Sequence, residues 1–380
     1  MINTIGILDL AGLPYDETSI TKKGVGGSET WVIYISEALA RIPNTRIYIF
    51  NASFNTHIHK DYQNIIYSNM DQFFSGNIKF DALIFSRTIS NLHINKMISS
   101  GCCNNIYMFA HDTRMLFANM EDNGKTNLFL LTNDIIQQVP FLKENIKGIF
   151  CISDYHKKLF INNYGFSEDM IKLSGHGISK LLKEQNKKSQ TCEKDNNIFW
   201  PHSLDRGFDI LVNKIYPILS KKISDLKIYV SHYDNLGSID QKILDLLNKD
   251  FVINLGSLSK EKLYEEESKH RCVFYPLTFP ETFCISSIEH TMCNCELIMP
   301  YRYGPATIFK PYKYFLLDEN INFDDKKTIK EVCNLILTRM KEYDSIERIN
   351  YRKSVQKYLI ETYDWDKIAK DLFNDIGLKS

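Results

Sequence analysis

Two glutamates, Glu281 and Glu289, stand with seven residues between them in the segment Tyr275-Pro276-Leu277-Thr278-Phe279-Pro280-Glu281-Thr282-Phe283-Cys284-Ile285-Ser286-Ser287-Ile288-Glu289. The segment follows an apolar run and enters a helical pattern, so it reads as strand, loop and helix. Glu281 then falls in the loop, and Glu289 about two turns along the helix. A carboxylate is an acceptor only, suited to the hydroxyls of a sugar or a ribose. The backbone N–H groups of Thr282, Phe283 and Cys284 stand at the expected helix start. Amides there lack intrahelical partners and favour phosphate. Two glutamates at this spacing recur by chance, and the strand–loop–helix context is what gives the pair weight.

Three further segments carry candidate chemistry. Ser203-Leu204-Asp205-Arg206-Gly207-Phe208 follows an apolar run. Asp205 is a candidate helix cap, and Arg206 beside it would meet a diphosphate with a guanidinium and backbone dipoles together. The alternative is a surface arginine next to a cap. Gly24-Val25-Gly26-Gly27-Ser28-Glu29-Thr30 opens a helical pattern. Gly26 and Gly27 allow a ligand close to the backbone, with Ser28 as the expected N-cap. Glu29 stands where a dinucleotide fingerprint needs its last glycine, and no Gly-Lys-Ser/Thr follows, which excludes a P-loop. A flexible turn is the competing reading. His111-Asp112 comes directly after Ile106–Phe109, where an imidazole can bond a sugar hydroxyl or move a proton, or simply serve the core. No Asp-x-Asp pair lies near a strand end, so no metal and no cofactor are expected.

The elements that must position these residues alternate between short apolar runs and helical patterns, the signature of α/β folds with parallel sheets. The first half holds strand candidates Ile5–Leu10, Arg46–Phe50, Ala82–Phe85, Ile106–Phe109, Gly148–Ile152 and Ile171–Leu173, with a helix over Glu29–Arg41. The second holds Ile198–Pro201, Leu226–Ser231, Val252–Leu255, Cys272–Tyr275, Glu296–Met299 and Phe315–Leu317, with helices over Phe208–Leu219 and Lys260–Lys269. The polar run Lys183–Gln190, within Lys180–Asn197, reads as a linker. Residues 1–182 are expected to form one Rossmann-like domain and 196–355 a second, with 356–380 a terminal helical segment. Ligands of open α/β sheets sit outside the carboxyl ends of the strands. Two such sheets facing across a cleft would converge their loops on one ligand.

Composition narrows the classes. The 380 residues carry 46 basic and 46 acidic side chains, a formal net charge of zero, so no long-range field favours nucleic acid. No apolar run reaches the length of a membrane span, which leaves only peripheral membrane contact open. The nine cysteines are odd in number and form no CxxC pair. They read as free thiols in a reducing compartment. Ile5–Leu10 is too short for a signal peptide, and a cytoplasmic location is expected.

With these motifs in this order, the chain resembles the retaining GT-B glycosyltransferases of family 4. The resemblance is carried by Gly26-Gly27-Ser28-Glu29, Ser203-x-x-Arg206-Gly207, and Pro280-Glu281-Thr282-Phe283 through Glu289. Phe150–Tyr155, Gly256-Ser257-Leu258-Ser259 and Thr362–Trp365 are similar to the end of that family's first domain, its base-facing loop and the approach to its last helix, which usually packs back on the first domain. The resemblance implies transfer of a hexosyl or pentosyl group from a nucleoside diphosphate sugar to a glycan, lipid or protein hydroxyl, with retention and without metal. It implies that Gly26 and Gly27 lie near the donor phosphate and that His111 touches the transferred sugar. Arg206 would hold the diphosphate, Glu281 would face the sugar and Glu289 the ribose. Gly256 and Leu258 would approach the base, and closure of the two domains would exclude water. Departures are visible as well. Arg206 is the one cation in its segment, Cys284 stands where the family has glycine, and the later glycine loop is reduced to Tyr303-Gly304-Pro305. An inactive sugar-nucleotide-binding scaffold, or a GT-B epimerase or phosphorylase, are the alternatives.

Overall fold

The computed structural model describes residues 2–10, 14–22, 25–52, 56–69, 72–73, 78–120, 126–129, 134–232, 237 and 239–379. Gly24 of the glycine-rich segment lies outside them. The chain forms two compact units. Unit 1 takes Val25–Gly177, the N-terminal residues and Tyr363–Ser380, and unit 2 is built chiefly from Ile178–Thr362.

Unit 1 is built on strands β1 (Asn3–Asp9), β2 (Thr45–Asn51), β3 (His57–Ile58), β4 (Ile65–Asn69), β5 (Ala82–Ser86), β7 (Ile106–Phe109), β10 (Gly148–Cys151) and β11 (Ile171–Leu173). They join in the order β11-β10-β7-β5-β1-β2-β4-β3, and every pair is parallel except β3 with β4. Strands β6 (Thr88–Ile89), β8 (Leu116–Met120) and β9 (Thr126–Phe129) make a separate three-stranded sheet. Chain order reverses about β1, which places a topological switch point between β1 and β5. The central strands are apolar on both faces: Ile5, Ile7, Ile84 and Phe85 are all fully buried.

The first helix of unit 1, α1 (Gly27–Ala40), has Gly26 as its N-cap. Ser28 therefore sits inside the first turn rather than at the cap, and its hydroxyl donates to Glu29 instead. Later come α2 (Asn91–Ser100), α3 (Asp134–Asn145) and α4 (Asp154–Tyr164).

Unit 2 begins with α5 (Lys180–Ser189), which covers the run expected as a linker. Its inward face mixes Leu182 with polar side chains. Gln185 donates to Ser268 Oγ at 2.8 Å, and Asn186 to the carbonyl of Met292 at 2.7 Å. Hydropathy alone does not reveal such a face, because amide hydrogen bonds replace apolar burial. Five parallel strands follow: β12 (Asp195–Trp200), β13 (Ile228–Ser231), β14 (Val252–Gly256), β15 (His270–Phe274) and β16 (Glu296–Ile298). Their order is β14-β13-β12-β15-β16, so the switch point lies between β12 and β15. Phe315–Leu317 contributes only an isolated bridge, from Leu317 to Pro300. The longer helices are α6 (Lys260–Glu267), α7 (Ile285–Met292), α8 (Lys326–Lys341) and α9 (Ile346–Thr362).

The helix expected over Phe208–Leu219 is divided into α-turns at Phe208–Ile210 and Tyr216–Leu219 around a π-helical Leu211–Ile215. Pro217 supplies the reason: it has no N–H to continue the ladder. The last helix, α10 (Trp365–Asp375), is capped by Asp364 and belongs to unit 1, where it packs against α1. Residues 356–362, expected with this segment, are the end of α9 in unit 2. Gly177 has no side chain because a Cβ there would lie 2.5 Å from the Trp365 ring.

Candidate donor site in unit 2 and polar cluster in unit 1

The switch point of unit 2 gathers most of the expected residues. Trp200 closes β12 fully buried, and its indole N–H donates to the carbonyl of His202 at 2.9 Å. That bond turns the chain into Ser203 and a 3-10 turn, Leu204–Arg206. Asp205 lies within this turn and does not cap the next helix; that place is taken by Gly207, at φ 101°. Only glycine fits there, because a Cβ would also stand 2.6 Å from Pro276 in the loop after β15. The loops after β12 and β15 are thereby pressed together.

Arg206 reaches across that contact. Its guanidinium pairs with Glu281 and lies 4.4 Å from the centre of the Phe279 ring. Glu281 is buried, and its Oε1 also accepts from the Tyr275 hydroxyl at 2.6 Å. Burial, together with Glu281, raises the Tyr275 phenol well above its ordinary range, so it stays a donor. Glu289, on α7, is held in the same manner. Its Oε1 accepts from Lys260 at 2.5 Å and from the Tyr264 hydroxyl at 2.6 Å. A carboxylate has about four lone-pair sites, so each glutamate retains capacity for a ligand hydroxyl. Lys260 and Tyr264 belong to none of the motifs in the sequence. The available signal was a lysine directly after the loop that ends β14, at the start of a helix.

The helix expected to open at Thr282 begins later. Helix α7 starts at Ile285, not at Thr282, because Cys284 is its N-cap in the left-handed conformation, φ 75° and ψ 71°. Thr282 and Phe283 are therefore loop residues, and the first helical amides belong to Ile285 and Ser286. Leu277 at φ 51° and Tyr303 at φ 57° are left-handed too. Three non-glycine residues in this state around one loop mark strain held by the surroundings. Arg302 supplies part of the restraint, donating to the carbonyls of Pro276 at 3.0 Å and Leu277 at 2.8 Å. Cys284 thus keeps the shape that glycine would adopt freely. Replacing it by β-branched valine is expected to lower stability by about 2 kcal/mol, whereas Cys284→Gly should fold normally. Thermal melting of both variants checks this, and a valine variant as stable as the wild type refutes the strain.

Gly256 ends β14 at φ 66°, with open space where a side chain would project. Its carbonyl accepts from Ser231 Oγ at 3.0 Å and from the His232 amide at 3.1 Å. Leu258 follows, half-buried, before Ser259 caps α6. This edge of the sheet offers backbone groups more than side chains.

Gly26, Gly27 and His111 belong to unit 1. His111 follows β7, is buried, and lies 3.2 Å from Ser86 Oγ at the end of β5. Burial, with His176, Arg87 and His156 nearby, lowers its pKa well below the ordinary histidine value. The ring is neutral at physiological pH, which suits hydrogen bonding to a hydroxyl better than holding an anion. Asp9, at the end of β1, accepts from the Tyr15 hydroxyl at 2.9 Å, and Arg87 pairs with Asp112 at 2.9 Å. Polar groups therefore collect at the carboxyl ends of this sheet as well. Among the described residues, Asp16, Glu17 and His57 also bring ligand-type atoms within 4.8 Å of one another. Two of the three are already committed to the local fold: Asp16 accepts from the Thr18 amide and hydroxyl, and Glu17 from the Lys60 amide.

No protein-family model and no curated protein sequence matches the chain. Solved structures do resemble it. A glycosyltransferase from Rickettsia africae ESF-5 superposes with a TM-score of 0.66 at 11% identity, over 99% of this chain and 98% of that one. Sucrose-phosphate synthase from Thermosynechococcus elongatus gives 0.67 at 12% identity, with 98% of each chain covered. HepE from Anabaena, solved with UDP and glucose, gives 0.64 at 11% identity, covering 97% of this chain and 98% of HepE. At such identities the likeness is one of architecture, and the chain has the α/β fold of the GT-B glycosyltransferases.

Proposed function

We propose that this chain is a retaining glycosyltransferase that transfers a sugar from a nucleoside diphosphate sugar to a hydroxyl acceptor. The observation that carries the reading is the pair of glutamates in unit 2, each buried and each holding a tyrosine hydroxyl and a cation on one oxygen. They stand in and beyond the loop after β15, at the switch point where doubly wound sheets bind nucleotides. The GT-B fold and the UDP complex of HepE support the same assignment. Glu289 accepts from the ribose, Glu281 faces the sugar, and Arg206 with the first amides of α7 takes up the charge that grows on the departing diphosphate. Retention, and membership of family 4, rest on the sequence resemblance. In this scheme the leaving phosphate accepts the acceptor's proton on the same face, and no divalent ion is needed.

The neutralised state of Arg206 favours one second reading, in which the chain binds a nucleotide sugar without transferring it. Both readings are tested together. A thermal-shift screen with UDP-, GDP-, ADP- and TDP-glucose should show stabilisation by at least one. Glu289→Ala should then weaken that nucleotide by about 1–3 kcal/mol. Transfer to sugar and lipid acceptors, followed by product anomer analysis, separates enzyme from binder. No stabilisation by any nucleotide, or an unaffected Glu289→Ala, overturns the site.

A further inference from the structure

Behind the start of α7 lies a row of polar side chains that the proposed reaction does not use. Ser286 Oγ is 3.3 Å from His202 Nδ1. His202 Nε2 is 3.3 Å from His290 Nε2, and His290 Nδ1 contacts Glu267 Oε1. His202, His290 and Glu267 are buried, while Ser286 is half-exposed in the first turn of α7. Among the described residues, no hydrogen bond reaches the second carboxyl oxygen of Glu267.

Each link in this row holds one proton, so the row has two polarities. With Glu267 ionised, its carboxylate accepts from His290 Nδ1–H, His290 Nε2 accepts from His202 Nε2–H, and His202 Nδ1 accepts the Ser286 hydroxyl. The serine proton then points inward. Adding one proton at Glu267 reverses every link. The carboxyl donates to His290 Nδ1, His290 Nε2–H donates to His202 Nε2, and His202 Nδ1–H donates to Ser286 Oγ. The serine hydroxyl is then released from His202 to donate outward, with Cys284 Sγ at 3.4 Å as its neighbour on the loop.

We propose that Glu267, His290 and His202 are positioning residues that set Ser286 as a hydrogen-bond donor to the donor diphosphate, with one proton taken up at Glu267 from solvent. The inference rests on the reading that the diphosphate lies at the start of α7. Both rings stay neutral in either polarity. Burial lowers the His202 pKa well below its usual value, aided by His290 and Arg206, and brings that of His290 down to about 3, aided by Lys260. The added proton therefore goes to the carboxyl, where a buried charge with an unpartnered oxygen is costly. Other titratable groups surround the row. Tyr275 stacks on His202 at 3.8 Å with its phenol raised, and burial raises the Cys284, Cys293 and Cys295 thiols. Glu289 lies on the same helix, bound to Lys260 and Tyr264.

The test is the pH profile of the dissociation constant for UDP-, GDP-, ADP- and TDP-glucose. Their diphosphates are diesters, so the ligand phosphates do not titrate in the range used. Between about pH 6 and pH 8.5, wild-type affinity should fall with rising pH, by up to about tenfold per unit for one linked proton. In Glu267→Gln the amide can donate to His290 Nδ1 and lock the outward polarity. Its profile should be flat at the wild type's tight, low-pH value. Ser286→Ala, which keeps every buried side chain of the row, should be flat at a value about tenfold weaker. A flat wild-type profile, or a slope that survives in either variant, overturns the proposal. Absence of binding by all four nucleotides overturns instead the functional reading beneath it.

Discussion

Gly304→Ala should lower the proposed transfer by on the order of a hundredfold while leaving the protein folded. A Cβ at this position would lie 2.3 Å from the carbonyl oxygen of Thr282, 2.4 Å from its carbonyl carbon and 2.6 Å from the amide nitrogen of Phe283. All three are backbone atoms, so no side-chain rotation relieves the overlap. The Gly304 amide also donates to the carbonyl of Glu281 at 2.8 Å. The 281–283 loop must therefore retreat by roughly an ångström, carrying the Glu281 carboxylate with it. A displacement of that size at a reacting centre costs on the order of a hundredfold in rate. The measurement is kcat/KM with the best nucleotide sugar, alongside the melting temperature. A Gly304→Ala enzyme with near-normal kcat/KM would separate this loop from catalysis. The tripeptide Tyr303-Gly304-Pro305 thus keeps the one glycine whose packing is required, while Tyr303 tolerates the left-handed turn beside it.

Glu296→Ala should strongly destabilise unit 2. Glu296, in β16, is buried and accepts from Arg348 through Nε at 3.1 Å and through Nη2, and from Arg352 Nη1 at 2.7 Å. Both arginines are buried on α9 and lie over aromatic rings, Arg348 at 4.3 Å from Tyr351 and Arg352 at 3.7 Å from Tyr343. Removing the carboxylate leaves two guanidinium charges in the interior facing each other. Losing one partner of a buried ion pair costs about 3–5 kcal/mol. Glu296→Gln keeps the shape and part of the hydrogen bonding, so its loss should be smaller. Urea unfolding followed by hydrogen exchange in β16 and α9 reads the effect directly. A midpoint unchanged from the wild type would mean that the arginines find other partners.

Strands buried on both faces are the most plainly legible in the sequence. Ile106–Phe109 and Gly148–Cys151 are continuous apolar runs because parallel strands between two helical layers have no wet side. Strand β4 was not recognised: after Ile65, Ile66 and Tyr67 it continues as Ser68 and Asn69, whose polarity masks a strand that pairs along its whole length with β2. Helix α5 is hidden for a related reason: of its buried residues Leu182, Gln185 and Ser189 only the first is apolar, and Gln185 and Asn186 bind by hydrogen bonds. Among the candidate-site residues, Glu281, Glu289 and Arg206 are marked by their place in and beyond the loops after strands. Lys260, Tyr264, His290 and Glu267 are not, because a lysine, tyrosine, histidine or glutamate on a helix carries no mark of what it faces.

The amino-acid sequence alone determined the alternation of strands and helices, the order of the motifs, and the loops that bear them. These depend on local periodicity and on turn residues within a few positions. Tertiary structure decided which side chains meet. Arg206 and Glu281 are 75 positions apart, His202 and His290 are 88 apart, and Lys260 and Glu289 are 29 apart. Those encounters follow from the strand order β14-β13-β12-β15-β16, which sets the end of β12 beside the end of β15. Strand order emerges from crossover handedness and the burial of whole faces, properties of the assembled sheet that no short window of residues contains.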